Sequence, residues 1–371
     1  MDQPQLPTRQ TAILTQPNLE LGISHDVALP QLLEPDMVLI RVVAVALNPT
    51  DFKMPARFPS PGAIDGCDFA GVIVQLGPAV TRPLQVGDRV FGAVHGANPL
   101  CYQSGTFAEY VATSSEFLFV APDWMSWETA AALGGAGIGT VGLALFCSMG
   151  LPATPEKPAE KPFYFLVNGG ATATGTMAIQ ILRHCGVTPI ATCSPKNFDL
   201  VKSYGAEQVF DYHSTTCADE IRKYTRNSLK YALDAITTPA TMLLCCSALG
   251  RTGGKYTALE LPPQIPGLRQ SIKIDWVMGV TVFGKEIALG EGYYQSPNME
   301  HYQFGLQWVK TIQGLIDKNA LRSHPVRVCP GRFEGILQGL GLLKDGAVSA
   351  QKLFVKRYAS ETGVRILSDK L

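Results

Sequence analysis

The nine cysteines contain no CxxC pair and their number is odd, so neither a disulfide framework nor a compact zinc knuckle is suggested. A reducing cytoplasm is the compartment expected. An excess of one charge is missing too. Lys and Arg number 31 against 31 Asp and Glu, without a basic block, which argues against a nucleic-acid partner. The opening MDQPQLPTRQTAIL lacks a basic region followed by a long apolar stretch, so no secretory signal is read there. One segment, Thr129 to Pro155, carries no charged side chain and is long enough to span a bilayer. Its glycines at 134, 135, 137, 139, 142 and 150 fit a closely packed helix or a ligand-facing turn better, and no membrane association is expected. GxSxG and HExxH are both absent, which removes two hydrolase readings. His25, His184, His213, His301 and His324 are isolated and read as ordinary surface or core residues.

What is present is enough for two domains: 371 residues, at one domain per roughly 150, with 46% hydrophobic and 17% charged residues. Residues 10 to 120 read as strands and turns, including Val38 to Leu47, Phe69 to Gly77, Asp88 to Val94 and Phe107 to Ser114, punctuated by Gly and Pro. From Trp127 the pattern turns helical and then alternates. FYFLVNGG, TPIATCS, EQVFDY, YALDAI and GGKYTAL are strands, separated by helices at TMAIQILRHCG, NFDLVKSYGA, Ala218 to Tyr224 and Ala240 to Leu249. That alternation predicts an α/β fold with a doubly wound parallel sheet. Pro152 to Pro162 reads as a surface loop before the first parallel strand. A helix near Tyr302 to Asn319 precedes a strand-helix-strand tail.

The segment GGATATGTMAIQ leaves a buried strand and opens a helix. Gly169, Thr172 and Gly175 stand for the three glycines of a dinucleotide fingerprint, with Thr172 in a glycine's place. Helix N-terminal amides and the helix dipole can hold a pyrophosphate there, and Thr172, Thr174 and Thr176 add hydroxyl donors. About 20 residues on, an NAD-binding chain usually presents Asp or Glu to the ribose. Here the segment is CSPKN, and Ser194, Lys196 and Asn197 offer a hydroxyl, a cation and an amide. This favours NADP(H), because a carboxylate would repel a 2′-phosphate. A solvated Lys196 without a ligand stays open, as does core packing for Tyr212, which otherwise stacks on the adenine side. Cys67 and Asp68, with His95 and Cys101 nearby in sequence, raise metal ligation. No further ligands are evident, so no metal is expected.

VALNPTDFKM, GCDFAGVIVQLGPAV with VGDRVFGA, and the cofactor loop together resemble the zinc-independent medium-chain dehydrogenase/reductase superfamily from about Thr11 to Lys356. GGATATGT, ATCSPKNFDLVKSYGAEQVFDY and GAVSAQKL are most similar to fungal trans-acting enoyl reductases of the lovastatin type. The resemblance implies a GroES-like β-rich catalytic domain at 1–128 and 322–371, and a Rossmann NADP-binding domain at 129–321. On this basis the strand-helix-strand tail folds back onto the first domain. It implies NADPH contacts at Asn48, Pro49, Thr50 and Asp51, at Ala171, Thr172, Ala173 and Thr174, at Ser194, Pro195, Lys196 and Asn197, at Tyr212, near Leu259 and Glu260, and at Val348 and Ser349. It implies a substrate wall at Gly137, Ile138, Gly139, Thr140, Val141, Gly142, Leu143 and Ala144, and near Gly279, Val280, Thr281, Val282 and Phe283.

The activity implied is NADPH-dependent reduction of a polyketide enoyl thioester. Its implied partner is the acyl-carrier domain of a polyketide synthase or hybrid synthase/peptide synthetase, met transiently by a monomer. Hydride addition to the β-carbon leaves an enolate that needs charge stabilisation and a proton. Lys53 is the candidate donor, and its alternative is a solvated lysine paired with Asp51 or a phosphate. Thr140 is a second candidate, and solvent is another source of the proton. A quinone or alkenal reductase acting on free small molecules, and a non-catalytic NADPH-binding protein, are the rival readings.

Overall fold

The computed structural model describes residues 6–290 and 292–356. They form two compact units. The first is drawn from the described parts of Met1–Ala136, Lys285–Pro297 and Ile312–Leu371, the second from Gly137–Gly284 and Asn298–Thr311.

In the first unit, β1 (Arg9–Thr15) and β2 (Leu21–Ala28) form an antiparallel pair. The β-branched run MVLIRVVAVA makes β3 (Met37–Ala46), buried along almost its whole length. Helix α1 (Pro49–Arg57) follows at once, started by Asn48 in a capping box and by a proline at its first position. Next come β4 (Asp68–Leu76), β5 (Arg89–Ala93), β6 (Tyr110–Ser114), β7 (Phe119–Val120) and α2 (Trp127–Leu133). Helix α3 (Gly135–Gly142) begins at the end of this unit and continues into the second.

The second unit carries the alternation read from the sequence: β8 (Tyr164–Asn168), α4 (Ala173–His184), β9 (Thr188–Cys193), α5 (Phe198–Ser203), β10 (Gln208–Asp211), α6 (Cys217–Tyr224), β11 (Tyr231–Asp234), α7 (Pro239–Ala248), β12 (Gly254–Ala258) and β13 (Ile272–Trp276). Their sheet is parallel throughout, in the order β10-β9-β8-β11-β12-β13. This is a doubly wound sheet whose first strand lies at its centre.

Helix α8 (Met299–Asp317) leads to β14 (Val326–Val328), α9 (Arg332–Lys344) and β15 (Lys352–Lys356). Strand β15 pairs antiparallel with β3, Phe354 opposite Ala46, so the tail does return to the first unit. That unit's larger sheet runs β14-β15-β3-β4-β5-β7, with β6 also on β3. Its core gathers Val38, Ile40, Val42, Phe69, Phe107, Ile336 and Leu353.

The limits of the two units differ from the expected 128/129 and 321/322. Helix α2 packs on β3, β4 and β15, and the Arg89 guanidinium lies 4.3 Å over the Trp127 ring, so the first unit extends to Ala136. Residues 285–297 join it because Arg57 lies 4.5 Å over the Tyr293 ring and donates to the Tyr293 hydroxyl at 2.8 Å. Gln313 brings in the end of α8: its Oε1 accepts from the Val120 N–H at 2.9 Å, and its Nε2 donates to the Val120 carbonyl at 3.1 Å. The long apolar stretch from Trp127 to Ser148 passes the length and hydropathy test for a membrane span. It is interrupted at Gly134 (φ +65°), and Ala130, Ala131, Leu133, Val141, Leu143 and Leu145 are buried.

Candidate functional site

Four of the segments singled out from the sequence follow on the C-terminal ends of parallel strands in the second unit, where doubly wound sheets bind nucleotides. Ala171–Thr174 follow β8, Ser194–Asn197 follow β9, Tyr212 follows β10, and Leu259 and Glu260 follow β12. A buried network fixes these strand ends. Asn168 Nδ2 donates to Asp234 Oδ1 at 2.8 Å, Thr192 Oγ1 donates to Asn168 Oδ1 at 2.5 Å, and the Tyr256 hydroxyl donates to Asp234 Oδ2 at 2.9 Å. Asp234 Oδ1 also accepts the N–H groups of Ile236 and Thr237, each at 3.0 Å.

The loop after β8 turns through Gly169 (φ +78°). Thr172 caps α4, its hydroxyl accepting from the Gly175 N–H at 2.9 Å and donating to the Gly169 carbonyl at 2.8 Å. A Cβ at Gly175 would stand 2.3 Å from the Gly169 oxygen, so only glycine lets the helix start so close to the strand end. The motif's spacing of two and then three residues falls on Gly170, Thr172 and Gly175, one residue beyond the Gly169 start read from the sequence. This loop, with a capped helix opening behind it, fits the pyrophosphate of a dinucleotide. After β9, Pro195 and Lys196 are exposed, Ser194 and Asn197 half-buried, and Ser194 Oγ donates to the Tyr212 hydroxyl at 3.4 Å. Tyr212 is exposed and stacks on the His213 ring at 4.0 Å.

In the first unit, Asn48 to Asp51 form the turn into α1. The Asn48 N–H donates to Asp51 Oδ2 at 2.7 Å. Asp51, Asp65, Cys67 and Asp68 are all buried. Burial, against hydrogen bonds from Asn48 and Cys67, pushes the Asp51 carboxyl up to about 7. Burial and then the Asp51 charge hold Asp65 well above the usual carboxylate range. The Cys67 thiol is pushed well up by burial and by the three carboxylates. Asp68 accepts from three donors: Asn48 Nδ2 at 2.9 Å and Lys352 Nζ at 3.1 Å on Oδ2, and the Ala136 N–H at 2.9 Å on Oδ1. Lys352 Nζ also donates to Asn48 Oδ1.

Lys53 is exposed on α1 and makes no ion pair with Asp51. Residues two apart on a helix do not face each other, which accounts for this. In the second unit, Thr140 and Gly137 are half-buried on α3, whereas Ile138, Gly139, Val141, Gly142, Leu143 and Ala144 are buried. Trp308 braces this helix, its Nε1 donating to the Ile138 carbonyl at 2.9 Å. Gly279–Phe283 form a 3-10 turn in which Thr281 Oγ1 bonds His301 Nδ1 at 2.8 Å. Val348 is half-buried and Ser349 exposed, just before β15.

The donor set around Cys67 does not fit a zinc ion. Asp68 is already matched by an ammonium, the Cys67 thiol holds its proton, and among the described residues no three His, Cys, Asp or Glu side chains stand together as ligands. Sequence reasoning missed Lys352, Asp65 and the Asn168–Asp234–Tyr256 network. The available signals were a lysine at an inward position of the apolar strand KLFVK and an aspartate opening DFAGVIV, both odd for buried strands.

Residues 34–123 match the family model of the alcohol dehydrogenase GroES-like domain, and residues 173–264 that of the zinc-binding dehydrogenase. The chain is 50% identical over 353 residues to the trans-enoyl reductase ccsC of Aspergillus clavatus, covering 94% of this chain and 97% of that protein. It is 49% identical over 355 residues to the trans-enoyl reductase ffsC of Aspergillus flavipes, covering 95% and 96%. Among solved structures, an alcohol dehydrogenase superfamily protein from Novosphingobium aromaticivorans is similar with a TM-score of 0.74 at 23% identity, covering 94% of this chain and 99% of that one. The CurK enoyl reductase is similar with a TM-score of 0.71 at 17% identity, with coverages of 94% and 99%. These two likenesses show the shared fold.

Proposed function

The chain belongs to the trans-enoyl reductase family of the medium-chain dehydrogenase/reductase superfamily, and from that membership we propose that it reduces α,β-unsaturated polyketide thioesters with NADPH while they are held on a partner synthase's acyl-carrier domain. The observation that carries the reading is identity near one half to proteins named trans-enoyl reductases, over at least 94% of this chain.

The chemistry that a nicotinamide cofactor would supply here, when bound, is a hydride for the β-carbon. The chain's own residues do the rest. Gly170 to Gly175 and the α4 N-terminus would hold the pyrophosphate. Lys196, with Ser194 and Asn197, would meet the 2′-phosphate after β9, in a segment whose own residues 194–197 include no Asp or Glu. Asn48 to Asp51, with Val348 and Ser349, would hold the nicotinamide half. Thr140 and Gly137, the less buried positions of the Gly137–Ala144 segment, would face the acyl chain. A donor near the thioester carbonyl stabilises the enolate, and a proton then reaches the α-carbon. Lys53, on an exposed position with a long mobile stem, is the candidate for both tasks.

The test is NADPH oxidation with an enoyl pantetheine thioester and, separately, with simple quinones. Formation of the saturated thioester supports the reading. Turnover of quinones alone selects a small-molecule quinone reductase instead. Lys196→Ala is expected to weaken NADPH binding by about 1 to 3 kcal/mol and to leave NADH nearly unchanged, the scale of one charge-assisted hydrogen bond. Equal affinity of the parent enzyme for both nucleotides contradicts the NADPH assignment.

A further inference from the structure

We propose that Lys352 is a positioning residue of the cofactor site: its ammonium, enclosed between Asn48 and Asp68, locks the Asn48–Asp51 turn and the Val348–Ser349 tail into the arrangement that receives the nicotinamide half of the cofactor. The proposal deepens the reading above and rests on its nicotinamide cofactor.

Among the described residues, Lys352 is the only Lys or Arg that is buried as a residue, 7% exposed, and it faces a fully buried Asp68. The contacts close a ring. Lys352 donates to Asn48 Oδ1 and to Asp68 Oδ2, and Asn48 Nδ2 donates to the same Asp68 oxygen. Both ends of the Asn48 amide are therefore committed, so the amide cannot flip without leaving an ammonium or a carboxylate short of a partner. Because the Asn48 N–H is held by Asp51, the first turn of α1 is fixed with it. At the other end of the chain, Lys352 opens β15 three residues after Ser349. One side chain thus ties the Asn48 turn to the start of β15, the strand that directly follows the other segment of implied cofactor contacts.

Stability alone is a poor reason to keep such a lysine. Taking an ammonium and a carboxylate out of water costs several kcal/mol each, and well-packed apolar residues often do as well or better. What a buried ion pair does provide is one defined arrangement, because any other leaves a charge unpaired. Burial raises the Asp51 and Asp65 carboxyls above the usual carboxylate range, so each carries less negative charge near neutrality than an exposed aspartate, whereas Asp68 holds the ammonium at 3.1 Å. His324, also facing Lys352, is pushed down to about 4 by burial and by that cation, and it adds no positive charge near neutrality.

The experiment compares the parent with Lys352→Met and with the double variant Lys352→Met/Asp68→Asn, measuring melting temperature, NADPH and NADH dissociation constants by nucleotide fluorescence, and the KM for NADPH. Lys352→Met leaves Asp68 buried and uncompensated and should melt lower. The double variant removes both charges and should recover most of that loss. In both, NADPH and NADH should bind more weakly by the same factor, about tenfold or more, the loss expected for one hydrogen bond to a charged group. The KM for NADPH should rise while kcat changes less. A folded double variant with the parent's nucleotide affinities overturns the proposal and makes Lys352 a purely structural ion pair. A parent that binds neither nucleotide overturns the cofactor reading itself, and the lock with it. Loss of NADPH selectivity in Lys196→Ala alone bears only on the 2′-phosphate contact, so the two failures are separable.

Discussion

Asp51 shows how one enclosed carboxyl sets a pH dependence. Its folded value of about 7 stands above the ordinary 3.8, so between those limits the folded chain keeps a proton that the unfolded chain has lost. Stability from this group therefore falls as pH rises from about 4 to about 7. His95 and His324 act oppositely: burial lowers each from 6.5 to about 4, so their contribution grows as pH rises through that window. Removing the Asp51 titration should leave the histidines' trend exposed. Asp51→Asn is thus expected to gain stability relative to the parent between about pH 5 and about pH 8, by at least about 1 kcal/mol, the worth of one pK unit. Melting curves at both pH values check this, and a constant difference between the two proteins contradicts it. Such a network is hard to read from sequence. The residues around the β9 end were legible because CSPKN puts its polar groups in one short segment at a known distance from the loop. Asp68 and Lys352 meet only because β15 pairs with β3, and nothing local to either residue announces the other.

At the scale of elements, the passage from β8 into α4 was the most legible part of the chain. A buried strand, a glycine pair and a threonine cap follow one another within a few residues, each for a local reason. The close approach of Gly175 to the Gly169 carbonyl makes a direct prediction. Gly175→Ala should cost about 1 to 3 kcal/mol of stability through forced displacement of backbone, and should weaken NADPH binding by tenfold or more. Gly314→Ala on α8, where a Cβ would meet nothing within 4 Å, should be neutral or slightly stabilising. Thermal melts and nucleotide titration distinguish the two, and equal behaviour would show that the loop tolerates displacement. The unit limits were less legible. The composition changes at Trp127, yet α2 packs on the strands that precede it, and residues 285–297 join the first unit through aromatic and cation–π contacts with α1. Tertiary packing decided both, and hydrophobic pattern does not encode it.

For the molecule as a whole, the even balance of 31 basic and 31 acidic residues leaves no strong overall field to draw in an acidic carrier, so the proposed recognition would rest on local patches. A reductase acting in trans must meet its carrier and release it after each reduction, which favours an affinity near micromolar, about −8 kcal/mol, weakened by salt. The likeness to trans-enoyl reductases supports the central proposal, that the substrate is an enoyl chain delivered on a carrier. The most direct measurement supplies the same enoyl chain either on the acyl-carrier domain or on a short pantetheine mimic, and compares kcat/KM with NADPH at low and raised salt. Carrier delivery is expected to give the higher kcat/KM at low salt and to lose that advantage as salt rises. Equal reduction of both forms, indifferent to salt, would contradict carrier recognition and favour a reductase of free small molecules.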